Sequence, residues 1–139
     1  MEEPTNFSLS LAELEDCDWG KPKPRSTFMV RRIYALREKP LDSFTADEIR
    51  LAVGQGVGFP YILDLAFKRL EVDPLLEGDC YPGDILSNLI LADPTVWEQR
   101  PALRSKLSTL YARALSGPAE ELQFFRESLG LPEDGSGPN

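Results

Sequence analysis

The sequence predicts an all-α fold, one compact domain of about six to eight short helices. Three observations carry this reading. Ser10-Leu11-Ala12-Glu13 and Thr45-Ala46-Asp47-Glu48 both fit the S/T-x-x-E capping box, whose two side chains satisfy backbone N–H groups that a helix start leaves unpaired. Leu103, Leu107, Leu110, Tyr111, Ala114 and Leu115 recur at helical spacing and so line one helix face. No segment sustains a two-residue alternation between hairpin turns, so no strand is expected.

The elements follow in chain order. The first helix begins after Ser10. "KPKPRS", residues 21 to 26, reads as an extended connector, because its prolines block a helix and cannot donate to a strand ladder. A helix from about Thr27 to Lys39 puts Met29, Ile33 and Leu36 on one stripe and is stopped by Pro40. The second capping box opens another, and Gly54, Gly56 and Gly58 suit its end and a tight turn. Pro60 fits the first turn of the next helix. Tyr61, Ile62, Leu63, Leu65, Ala66, Phe67 and Leu70 leave that helix little polar face, as in a central buried helix.

"DPLLEGDCYPGD", residues 73 to 84, interrupts with turn residues, and Asp84 is placed as an N-cap before Ile85, Leu86, Leu89 and Ile90. Asp93-Pro94 repeats a cap followed by proline. The helix carrying Leu103 to Leu115 is broken by Gly117-Pro118. A last one, marked by Leu122, Phe125 and Leu129, stops at Gly130. Residues 1–129 are thus expected to form the helical domain and 130–139 a disordered tail.

A chain of 139 residues is long enough for one real core. It holds no apolar run of membrane-spanning length, and its first residues carry acids where a secretory signal would carry Lys or Arg. A cytoplasmic location is expected. Cys17 and Cys80 lie far apart without C-x-x-C spacing, so both are expected to be reduced, ordinary packing residues. There is no histidine, which removes Ser-His-Asp and Cys-His nucleophile arrangements.

The net charge of −8 opposes nucleic-acid binding and favours a basic protein partner. Its distribution is uneven. Residues 1 to 20 carry six acids and no base, and residues 21 to 40 carry seven bases and one acid. From 71 to 99 come Glu71, Asp73, Glu77, Asp79, Asp84, Asp93 and Glu98 with no Lys or Arg.

Within that block "EGDCYPGD", residues 77 to 84, allows three readings. Glu77, Asp79 and Asp84 as cation ligands do not follow the alternating order of an EF-hand loop. A carboxylate-pair enzyme needs an acid with a raised pKa in a cleft, which nothing here marks. A turn leading into a helix needs only what is present: Gly78 and Gly83 for turn conformations, Pro82 to fix φ, Asp79 and Asp84 for local bonds. Tyr81 and Trp19 serve most simply as anchors of loops on the core. "GQGVGFP" lacks the GxxxxGK[ST] pattern of a phosphate loop and reads as punctuation between helices. No cofactor, metal or catalytic residue is expected.

"CDWGKP" at 17–22, "GQGVGFPYILDLAF" at 54–67 and "DPLLEGDCYPGDIL" at 73–86 together resemble the contact-dependent growth inhibition immunity proteins. The positions carrying the resemblance are Asp18, Trp19 and Gly20; Gly54, Gln55, Val57, Gly58 and Tyr61; then Pro74, Leu75, Glu77, Gly78, Asp79, Tyr81, Pro82, Gly83, Asp84 and Leu86. Phe59 and Ile85 stand where that family carries leucine. The resemblance implies a protein that binds and neutralises a cognate toxin domain, with no membrane or direct nucleic-acid partner. If docking is electrostatic, Asp73, Glu77, Asp79 and Asp93 are the acids expected to meet Lys or Arg on the toxin, with Asp84 acting as a cap. The competing reading is an acidic adaptor or regulator of a basic host protein.

Overall fold

Side-chain caps decide where the first three helices of this chain begin. A computed structural model of the protein describes residues 5–131. α1 (Leu11–Glu15) starts at Ser10, whose Oγ accepts from Glu13 N–H while Glu13 accepts from Ser10 N–H at 3.0 Å. α2 (Phe28–Arg37) starts at Thr27, which accepts from Val30 N–H. α3 (Ala46–Gln55) has the second complete capping box, on Thr45 and Glu48, and ends on Gly56 at φ 70°. α4 (Tyr61–Val72), α5 (Asp84–Ile90), α6 (Pro101–Leu115) and α7 (Ala119–Ser128) complete the set. Single 3-10 turns at Leu41–Ser43 and Pro94–Trp97 stand between them. Among the described residues the only extended pairing is an isolated bridge between Ser10 and Pro40.

The all-α expectation holds, and α4 is the buried centre it was read to be. Ile62, Leu63, Leu65, Ala66, Phe67 and Leu70 are all buried. α3 packs on α4 and α5, α6 covers another side of α4, and α7 closes over α5. Trp97 from the second 3-10 turn meets Phe67 edge-on at 5.8 Å between ring centres. α1 and α2 form an outer pair. Ion pairs tie α2 and its C-terminal flank to α3, Arg32 with Asp47 and Lys39 with Glu48.

Four details differ from expectation. α2 is shorter than the Thr27–Lys39 span, and of its stripe only Leu36 is fully buried, whereas Met29 in the first turn is exposed. Gly54 lies inside α3 with open space where a side chain would go, so the turn after α3 is made by Gly56 and Gly58 alone. Pro60 sits at the N-cap of α4 rather than inside its first turn. Asp93 does cap, accepting from Thr95 N–H at 2.9 Å, but it opens a 3-10 turn, and α6 starts separately at Pro101. The end expected at Gly130 is present: Gly130 has φ 73°, and Leu131 N–H returns to Arg126 C=O. Of the expected tail, residues 132–139 lie outside the described residues.

Candidate functional site

The loop from Asp73 to Gly83 is wrapped around one buried carboxylate. Asp84 is fully buried, and its two oxygens accept from the backbone N–H groups of Gly78 at 2.6 Å, Asp79 at 3.1 Å and Cys80 at 3.0 Å. This corrects the reading of Asp84 as an N-cap. The N-cap of α5 is Gly83, and the Asp84 side chain turns back into the preceding loop. Gly83 is required there twice over: its φ is 86°, and a Cβ would stand 2.7 Å from Phe125 Cδ1. Gly78 lets the loop lie against the Arg50 stem, where a Cβ would come within 2.6 Å of Arg50 Cβ. Tyr81 closes the far side, its hydroxyl 2.7 Å from Ser87 Oγ and its ring tilted against Phe124.

Arg50 on α3 supplies the positive charge that the acidic block lacks in sequence. Its Nε is 3.3 Å from both Asp79 Oδ1 and Asp84 Oδ2, close enough to pair electrostatically although no hydrogen bond is aligned. Two of the seven acids between 71 and 99 are therefore balanced from outside the block. Nothing in the sequence pattern singles out Arg50 for this role.

The expected binding acids fall into one group and one outlier. Asp73, Glu77 and Asp79 are exposed on the same loop, whereas Asp93 is beyond the far end of α5. Glu77 has no ion pair or hydrogen bond among the described residues and is the most available. Asp73 accepts from Leu75 N–H, and Asp93 is held below the usual carboxylate range by the Thr95 backbone N–H and hydroxyl. Cys80 and Cys17 are exposed rather than packed, which corrects their assignment as packing residues. The Cys80 thiol is pushed up by desolvation and by its bond to Asp79, so it stays protonated and a poor nucleophile.

The side-chain ligand atoms of Asp79, Cys80 and Asp84 lie within 4.8 Å of one another. The donors around them suit a carboxylate and not a cation: three N–H groups already point at Asp84, with a guanidinium beside it. A metal ion would have to displace a positive group. In the open groove of about 480 Å³ beside α4, Asp64 is gripped at 3.0–3.2 Å by Arg100.

A second buried charge holds the segment between α1 and α2. Arg37 is only 2% exposed; it is paired with Glu15, donates to Cys17 C=O at 2.6 Å, and lies 4.2 Å beneath the Trp19 ring. Trp19 is thus not sunk in the core: it is 45% exposed and acts as a lid on Arg37, edge-on to Tyr34. Asp18 bends the chain into this position by accepting from Gly20 N–H, and Gly20 takes φ 73°. Gly58, at φ 82°, lets α1 pack close, with Leu11 Cδ1 2.7 Å from where its Cβ would be. Gln55 ends α3 on the surface.

A family model described as CDI immunity proteins matches residues 13–107, a span that includes both buried charges and the whole acidic loop. No curated protein and no solved structure matches the chain.

Proposed function

The chain belongs to the family of CDI immunity proteins, and from that premise we propose that it binds a cognate toxin domain and holds it inactive by covering its working surface. It does so without catalysis, in the cytoplasm that the toxin reaches. The family match is the observation that carries this reading. The loop adds a physical route. Glu77 and Asp79 project from a backbone already fixed by Asp84, so docking them orders little further chain. A basic toxin surface, such as the substrate cleft of a nuclease, is the complement of that face.

Expressing the chain together with the toxin encoded beside it is expected to restore growth, with a stable complex recovered from the same cells. Failure of both sinks the reading. Glu77→Lys and Asp79→Lys locate the surface: each is expected to slow association and flatten its salt dependence. Full affinity in both variants moves the interface off the loop while leaving the immunity role standing.

A further inference from the structure

The two most exposed large apolar residues described are Val72, at 84%, and Phe28, at 77%. Both stand at helix ends. Phe28 opens α2 together with exposed Met29 and Val30, in a first turn that carries no acid. Lys21, Lys23 and Arg25 lie exposed just before it and have no acidic partner among the described residues, and Arg31 spends its guanidinium on the carbonyls of Pro24 and Ser26. Val72 closes α4 between Glu71 and Asp73, both exposed and neither in an ion pair among the described residues. Arg69, in the same last turn, is committed to the carbonyls of Phe44 and Asp42.

Each end carries the charge its own helix disfavours. Cations crowd the positive end of the α2 dipole, and acids crowd the negative end of α4. Neither arrangement helps its own helix, and each leaves apolar surface in water. The two ends complement one another in both respects: apolar side chains flanked by bases against an apolar side chain flanked by acids. We propose that a second copy of this chain docks the end of its α4 on the first turn of α2. If the contact is made reciprocally, two copies close into a dimer and no surface is left to propagate. The inference rests on these exposed groups and not on the toxin reading, so it is tested with no toxin present.

Sedimentation of the full chain over a wide concentration range is the experiment, at low and at high salt, with melting curves to show that every variant is folded. Association at low salt that weakens at high salt is expected. Phe28→Glu, Lys23→Glu with Arg25→Glu, and Glu71→Lys with Asp73→Lys are each expected to leave monomers. Mixing the last two double variants is expected to restore a mixed species, because reversed charges again face their opposites. A wild-type chain that stays monomeric overturns the proposal, as does association untouched by these changes. A monomer that instead binds phosphatidylglycerol vesicles through Phe28 overturns it in favour of a lipid surface.

Discussion

Replacing Asp84 by alanine tests whether the loop is organised by one carboxylate. The substitution removes the acceptor for three backbone N–H groups, at 2.6, 3.1 and 3.0 Å, and leaves the Arg50 guanidinium without its buried counter-charge. A hydrogen bond to a charged group is worth about 1.5–3 kcal/mol, and breaking a buried ion pair from one side costs about 3–5 kcal/mol. The loop is partly open, so water recovers some of the N–H groups and the contributions do not add in full. A loss of about 3–5 kcal/mol follows, a large part of the roughly 5–15 kcal/mol that a domain possesses. An N-cap in the same place would cost only about 1 kcal/mol. Urea unfolding separates the two: at a slope of about 2 kcal/mol/M, the midpoint falls by about 1.5–2.5 M with the slope unchanged. A loss of about 1 kcal/mol or less refutes the reasoning, because the loop would then hold its shape without the carboxylate. Asp84→Asn is expected to fall between, since one amide oxygen still accepts while the amide nitrogen faces donors.

The glycines give opposite signs. Gly83→Ala and Gly58→Ala each force a positive φ and a contact near 2.7 Å, and are expected to lower the melting temperature clearly. Gly54→Ala, inside α3 with nothing near its Cβ, is expected to stabilise by about 0.5–1 kcal/mol in the same urea assay. Arg37→Ala strands Glu15, empties the space under Trp19 and is expected to cost about 3–5 kcal/mol, with a shift in tryptophan fluorescence that a surface arginine would not produce. For Glu48, burial works to raise the pKa, but the bonds from Lys39 and the Thr45 backbone N–H outweigh it and hold the carboxyl low. A folded-state pKa below the unfolded one gives stability that is present above the unfolded value and lost as the pH falls through the folded one. The acid limb of the stability profile should therefore become shallower in Glu48→Gln; an unchanged limb contradicts this.

Most of the helix plan was legible because it is set locally. Ser10 and Thr45 carry their caps within four residues, and the Leu103–Leu115 stripe and the apolar run of α4 follow helical spacing. What was hidden depends on distant partners. Asp84 reads as a cap from its neighbours, yet Arg50, thirty-four positions earlier, and a loop that doubles back turn it inward. Met29 sits at core spacing on α2 yet lies exposed in its first turn. Trp19 reads as an anchor on the core, yet it stays 45% exposed over the buried Arg37, a partner eighteen positions later. The acidic block looked unbalanced because its counter-ion came from another helix.

The way the loop closes on Asp84 separates scaffold from display. Its shape depends on backbone N–H groups, which every residue except proline provides, and on a few fixed side chains beneath: Asp84, Arg50, and the glycines at 78 and 83. The outward side chain of Glu77 contributes little to that frame, whereas Asp79 also faces Arg50 at 3.3 Å. A substitution at 77 can then change the outward face of the loop while the frame beneath it stays as it is. A change at 79 does not have that freedom, because it also takes a charge from beside Arg50.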